Sequence, residues 1–597
     1  MQQLSQTWDL DVFFPGGSAS PQFAAFLDEL EQEIRAFGTA LKTAQAPVSA
    51  DSGDAAALTG LVASMQSILL RLRQGESFTA CLSAEQQSDK KAVQLSGRLK
   101  SLSAAYTASL ARLDELIRDM PDTVWAAWLD QPEQQAVRFP LAERRKQAGE
   151  RLPSELESLI ADLAVDGYHG WGEMYNTAVS QVQILFSENG EEIRLSAGQA
   201  HNKLHSPDRA VRERVFSAWE DAWGQAADFC ADALNHLAGF RLQVYKHRGW
   251  TDVHKEPLDI NRMSGRTLDA MWSAIDRRKR MLVRYMDRKA KLIGVEKLGW
   301  HDVEAPVGNS AKHYSFDEAA DMIVTQFRRF SPKLAEFAQM AFDERWIEAE
   351  DRPGKRPGGF CTAFPASGQT RIFMTYAGTA SNVSTLAHEL GHAYHQHVMT
   401  DMPALAQEYA MNVAETASTF AEMIVADAAV KLAASPEEKL ALLEDKVQRS
   451  VAFFMNIHAR FLFETRFYEA RRQGLVGVSE LNRLMEEAQQ EAFCGALGST
   501  HPHFWASKLH FYITEVPFYN FPYTFGYLFS SGIYARALKE GPQFEDRYVA
   551  LLRDTASMTV EDLARKHLEV DLEQPQFWDE AVQLAMEDVE AFLQLTE

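Results

Sequence analysis

The sequence predicts a mainly α fold. Apolar residues recur at three- and four-residue spacing along most of the chain, whereas strand patterning is confined to one hairpin and one later stretch. With 597 residues, 46% hydrophobic content and no low-complexity tract, the chain can bury a large core or build several domains.

In chain order, Pro21 to Leu41, Asp54 to Gln74, Ser83 to Asp119 and Glu143 to Val165 read as helices, with a loop around residues 46–53. They carry no catalytic constellation, so their expected role is a scaffold. Ser180 to Phe186, the turn Ser187 to Gly190 and Glu191 to Ser196 read as a β-hairpin, a natural domain boundary. Long helices return from Ala200 to Leu292. A Gly-rich segment, Pro357 to Phe360, leads to the second strand signal, Thr370 to Tyr376, and then to a helix from Ser384 to Val398. The strand either braces that helix or offers an edge to an extended peptide, so no substrate contact is assigned to it. Tyr409 to Ala428 reads as a second amphipathic helix.

Within the helix from Ser384, His388-Glu389-Leu390-Gly391-His392 is a complete HExxH segment. Histidines four residues apart lie about one turn apart on one face, so both imidazoles can reach one zinc ion. Glu389 then points at water on that ion and is placed to take its proton as the water attacks a carbonyl. The competing reading is a helix with two surface histidines. Gly391 argues against it, since a helical glycine costs roughly 1 kcal/mol relative to alanine and is better explained by a close neighbour. A third ligand is needed. The metzincin pattern requires Gly at 395 and His at 398, where the chain has His395 and Val398, so that class is excluded. Glu415 and Glu422, seven residues apart on the next helix, are the candidate acids. The small residues Ala417 and Ser418 favour Glu415 by allowing close helix contact, which leaves Glu422 to orient a ligand or to be an exposed acid.

The formal net charge of −23 argues against a nucleic-acid partner, which would require clustered Lys and Arg. Cys81, Cys230, Cys361 and Cys494 form no CxxC or disulfide-like ladder and are expected to be ordinary thiols. No signal peptide or uninterrupted apolar run of membrane-spanning length is visible, so the expectation is a cytoplasmic protein with no membrane partner. Oligomeric state is not encoded in any motif.

AHELGHAYHQH followed by AETASTFAE resembles the zinc core of the oligoendopeptidase F and thimet oligopeptidase family. The similarity extends to TWDLDVFFPG (Thr7 to Gly16), to the segment from Ser206 to Arg212 and to LGWHDVEAPVG (Leu298 to Gly308). The resemblance implies a gluzincin with one Zn2+ held by His388, His392 and Glu415. It further implies a small β-sheet beside the zinc helix, a deep channel between two helical lobes, and short unstructured peptides as substrates. A helical N-terminal domain, 1–199, and a catalytic domain, 200–597, follow from the same comparison and the hairpin.

Water addition to a carbonyl also needs a donor for the developing oxyanion. Leu509 to Ser530 crowds aromatics and one histidine into a short stretch, which by itself reads as core. The resemblance implies instead that His510, Tyr519, Tyr523 and Tyr527 face the metal, with the choice among the four hydroxyl and imidazole groups open. Phe521 replaces a family tyrosine, and three extra residues separate His510 from Tyr519. Were the stretch helical, the tyrosines would share a face. The expected function is a zinc endopeptidase. A carboxypeptidase or dipeptidyl carboxypeptidase on the same core lacks an assignable basic residue for the substrate's terminal carboxylate, and a non-catalytic peptide-binding protein would not be expected to keep every ligand.

Overall fold

Three caps launch the N-terminal helices. Ser20, Ser52 and Asp89 accept hydrogen bonds from backbone N–H groups at the starts of helices Pro21–Thr43, Gly53–Glu85 and Lys90–Asp119. The computed structural model describes residues 3–188, 190–307 and 312–597. The chain forms two compact units, one from residues 1–151, 312–425 and 536–569, the other from 152–311, 426–535 and 570–597. Each unit draws on residues from both sides of position 200.

In the first unit the helix expected to stop at Gln74 continues to Glu85. Gly75 is the misleading signal: a β-carbon there would lie 2.9 Å from Leu99 Cδ2, so the glycine permits a close helix crossing and does not end the helix. The long helix expected from Glu143 is split into Arg138–Glu150 and Ser154–Ala164, with Pro153 at the break. Among the described residues, Gly53–Glu85 is the one helix long and apolar enough to cross a membrane, by length and composition alone, which the sequence reading did not anticipate. Its apolar side is nonetheless occupied: Leu58, Met65, Ile68 and Phe78 are buried in the core, and the Phe78 ring meets those of Phe14 and Phe23 at 4.9 and 4.8 Å.

The same core reaches a three-stranded sheet. Ile347–Glu348 runs parallel to Gln369–Phe373, which pairs antiparallel with the edge strand Phe360–Phe364. Only the central strand was expected, and it ends at Phe373 rather than Tyr376. The N-terminal WDL segment braces this sheet. Arg371, buried on the central strand, donates to the Asp9 carbonyl from Nη2 at 2.8 Å, and Phe13 stacks on Phe364 at 3.9 Å. The conspicuous opening motif therefore has a structural job.

In the second unit the expected hairpin forms, but its first strand runs Gln183–Glu188 instead of Ser180 to Phe186, with Gln183 opposite Ser196 and Glu188 opposite Glu191. Asn189 of its turn, like Gly308 at the end of the Leu298 segment, lies outside the described residues. Two other family-like segments meet here. Arg209 and Arg212, at the start of helix Arg209–Arg248, bind Asp302 at 3.1 and 3.0 Å. Asp302 is wholly buried and also accepts from the Gly299 N–H, so these segments form a structural ion cluster.

Candidate active site

The HExxH segment lies well inside a capped helix. The Thr379 hydroxyl accepts from the Asn382 N–H, the Asn382 side chain accepts in return from Thr379, and helix Ala380–His397 begins four residues before the expected start. Its histidines are therefore held on a formed helix, away from a fraying end.

Helix Met411–Leu432 meets this helix at Gly391. A β-carbon at 391 would lie 2.4 Å from the Ala417 carbonyl oxygen and 2.6 Å from Ser418 Cα, so backbone touches backbone. That contact delivers Glu415. Its Oε2 lies 3.3 Å from His388 Nε2 and 3.5 Å from His392 Nε2. One ligand atom from each of the three residues falls within 4.8 Å of the others, the one such metal-holding group among the described residues. Gly391→Ala is expected to lower unfolding stability by about 1–3 kcal/mol through this overlap. Thermal melts and metal analysis of the variant should show a lower transition and reduced metal occupancy; unchanged values would mean the helices can part without cost.

Two further groups hold the cluster, and the sequence pointed to only one of them. The Ser418 hydroxyl donates to Glu415 Oε2 at 2.8 Å, one turn along the same helix. Glu422 reaches the far side of His388, with Oε2 3.3 Å from Nδ1, which leaves Nε2 facing Glu415. Such a carboxylate fixes the tautomer and orientation of a ligating imidazole.

The electrostatics suit a cation. Burial pulls His392 down to about 4, keeping its ring neutral and its lone pair available, although Glu415 and a backbone hydrogen bond to Ala414 act in the opposite direction. Burial also opposes charge on His388, but the Glu422 hydrogen bond and nearby carboxylates outweigh it and shift that ring upward. Burial pushes the Glu389 carboxyl up to about 7; His388 opposes this, and Glu415 and Glu422 add to it. Glu389 is 7% exposed, and its Oε2 has no hydrogen-bond partner among the described residues. Two imidazoles, one carboxylate and an orphaned second carboxylate beside them fit a zinc-type ligand set with its base. Gly359, just before the edge strand, lies beside this group: a β-carbon there would be in van der Waals contact with Glu389 Oε1 at 3.5 Å.

His395 is elsewhere. Its Nε2 lies 2.9 Å from Thr555 Oγ1, its ring stacks on Tyr409 at 4.2 Å, and burial pulls it down to about 3. It is a core histidine, as its exclusion from the ligand set requires.

In the second unit, His510, Tyr519 and Tyr523 form an aromatic cluster with ring centroids 5.4 to 6.3 Å apart. Tyr527 is not part of it: its hydroxyl lies 3.1 Å from Ser450 Oγ, and its ring stacks on Phe453. The conditional one-face arrangement fails because helix Phe521–Glu540 starts after Tyr519. Phe518 adopts a left-handed backbone, φ 53°, and Pro522 is tolerated only because it falls in the first turn. Glu464 holds this entry, accepting from the Phe518 N–H at 3.2 Å and the Asn520 amide at 2.7 Å, on either side of Tyr519. Its signal in the sequence was an acid directly after the apolar run Phe461-Leu462-Phe463 of helix Ile457–Arg471.

Residues 203–584 match the model for Peptidase family M3, and residues 117–183 match a model described as Oligopeptidase F. The chain is 26% identical over 424 residues to the chromosomal oligoendopeptidase F of Lactococcus lactis subsp. cremoris, covering 69% of this chain and 68% of that protein. It is 22% identical over 492 residues to oligopeptidase PepF of Bacillus subtilis (strain 168), covering 80% and 72%. In fold it is similar to the crystal structure of oligoendopeptidase-F from Enterococcus faecium, with a TM-score of 0.70 at 18% identity, covering 96% and 98%. A single family model spans more than half of the chain and includes the histidine and glutamate cluster, and the chain belongs to peptidase family M3.

Proposed function

We propose that the chain is a zinc endopeptidase of short oligopeptides, with one ion held by His388, His392 and Glu415. The observation that carries this reading is the convergence of those three side chains beside the unpartnered Glu389 carboxylate. A bound zinc ion supplies an acidified water and polarises the scissile carbonyl. Glu389 takes the proton of the attacking water and later passes it to the leaving amine. Glu422 keeps His388 turned toward its ligand position. A phenol from Tyr519 or Tyr523, or the His510 imidazole, donates to the developing oxyanion. Burial, Arg460 and Lys508 pull His510 down to about 3, so this ring acts as a neutral donor. Tyr527 is the weaker candidate for that donation, since its hydroxyl is already engaged with Ser450. We place the activity in the cytoplasm, a reading supported by the free thiols of all four cysteines.

The test uses an internally quenched peptide blocked at both ends. Cleavage is expected, with loss on adding a chelator and return on adding zinc. Tyr523→Phe and Tyr519→Phe separate the donors: the one that donates should lose about a hundredfold in kcat with little change in KM. A blocked peptide that stays intact while its unblocked form is trimmed from the C-terminus would replace the endopeptidase reading with a carboxypeptidase. Chelator-insensitive cleavage would remove the metal from the mechanism.

A further inference from the structure

A second polar centre lies in the second unit, apart from the zinc ligands in sequence. A cavity of about 130 Å³ is walled by Trp219, Trp300 and Phe504, and the basic side chains Arg460 and Lys508 open onto it together with three histidines, one of them His301. The Arg460 guanidinium and the Lys508 ammonium both approach the Phe504 ring, at 5.4 and 5.8 Å from its centroid. Cations packed on aromatic walls are partly desolvated, and buried cations are ordinarily paired with an anion. These two are not. Arg460 donates from Nε to Asn456 Oδ1 at 2.8 Å, and among the described residues neither cation has a carboxylate within ion-pair distance. His301, nine-tenths buried, makes no hydrogen bond at either ring nitrogen, with Nε2 3.5 Å from Asp302 Oδ2 and Nδ1 without any partner among the described residues. Glu304 lines the cavity and its charge favours both cations, but it is exposed and beyond ion-pair distance of either; its ion-pair neighbour is His205 at 3.8 Å.

The chemistry of such a cavity is that of a carboxylate receptor. An arginine fork offers two parallel N–H donors to the two oxygens of a carboxylate, and a lysine adds a point charge. The cavity is large enough to admit a carboxylate together with several waters. Burial, together with repulsion from Arg460, pulls the Lys508 ammonium down to about 8, and a bound anion would relieve that repulsion. The cavity also borders the tyrosine cluster. Lys508 is two residues before His510, and Arg460 and Lys508 both act on the His510 imidazole.

We propose that this cavity binds a carboxylate of the peptide substrate, with Arg460 and Lys508 as its cationic ligands and His301 as a further donor. The proposal rests on the peptidase reading and sharpens it: it names an acidic group, at the C-terminus or on a side chain, as a determinant of which peptides are cut. It also supplies the basic residues that the sequence left unassigned.

Two matched pairs of quenched peptides test it on the zinc-loaded full-length protein. One pair differs only in a free versus amidated C-terminus. The other has an amidated C-terminus and differs in Glu versus Gln, scanned through the positions after the cleavage site. The wild type is expected to prefer the carboxylate member of one pair by about 30-fold in kcat/KM, mainly through KM, because losing one partner of a desolvated charge pair has effects of that order. The pair showing the preference identifies its source. In Arg460→Met and Lys508→Met the preference should collapse toward unity. Absence of preference in both pairs, or its retention in both variants, overturns the proposal. Binding is also read without cleavage: N-acetylglycylglycine and N-acetylglutamate amide are compared with their uncharged amides for their effect on the melting temperature of the wild type. If neither acid raises it more than its amide, the pocket is wrong even if peptides are cut. A carboxylate-dependent rise without zinc-dependent cleavage keeps the pocket and overturns the peptidase reading.

Discussion

Replacing Glu389 with Gln is expected to lower kcat by about a thousandfold while leaving the metal bound. General acid–base catalysis is worth about a hundred- to ten-thousandfold, and Glu389 is asked to act twice, as acceptor and then as donor. Glutamine keeps the size of the side chain but cannot take a proton. Nothing in the proposed ligand set changes, because it consists of His388, His392 and Glu415, with Glu422 as the proposed orienting group. Stopped assays for residual turnover, paired with elemental analysis of the same preparation, separate the two effects. Near wild-type turnover with full metal content would remove Glu389 from the chemistry. Lost turnover with lost metal would show instead that the substitution had disturbed the cluster.

For Glu415→Ala the expected loss is the metal itself. Alanine leaves two imidazoles; of the two nearby carboxylates Glu389 is the proposed base, and Glu422 faces the opposite nitrogen of His388. It cannot serve both nitrogens at once. The variant should emerge from dialysis with little metal and no activity, and added zinc should no longer raise its melting temperature, since that rise is the linkage signature of binding to the native state. Glu422→Gln is the contrasting case: loss of an orienting partner typically weakens affinity by about 10- to 100-fold, which excess zinc can overcome. Full metal occupancy in Glu415→Ala would exchange the roles of the two acids.

The convergence of His388, His392 and Glu415 was legible because its information is local. HExxH fixes two histidines by helical geometry, and Gly391, Ala417 and Ser418 announce a close contact whose two halves lie on successive helices. Mainly α architecture was likewise visible as periodicity. What escaped depends on tertiary neighbours. Gly75 looks like a helix end until Leu99 is known to press against it. The strands Ile347–Glu348 and Phe360–Phe364 are too short to show a period. Arg460 and Lys508 are unremarkable in sequence, and only the cavity they share with Phe504 sets them apart. Tyr519, Tyr523 and Tyr527 share a spacing that suggests one face, but only Tyr523 and Tyr527 lie on the helix, and Tyr519 reaches Tyr523 from the segment that follows the left-handed turn at Phe518.

The meeting of Gly391 with Ala417 and Ser418 also bears on which ions the cluster can accommodate. Where side chains separate two helices, a larger or smaller ion can be met by rotamer changes along the interface. Here carbonyl and Cα atoms set the separation, and atomic radii do not relax. A change of ion radius would therefore be absorbed by the ligand side chains, with the Glu415 carboxylate held by its Ser418 hydrogen bond and His388 by Glu422. Replacement of zinc by cobalt or manganese should be recorded in those side chains, with the helices acting as a fixed gauge.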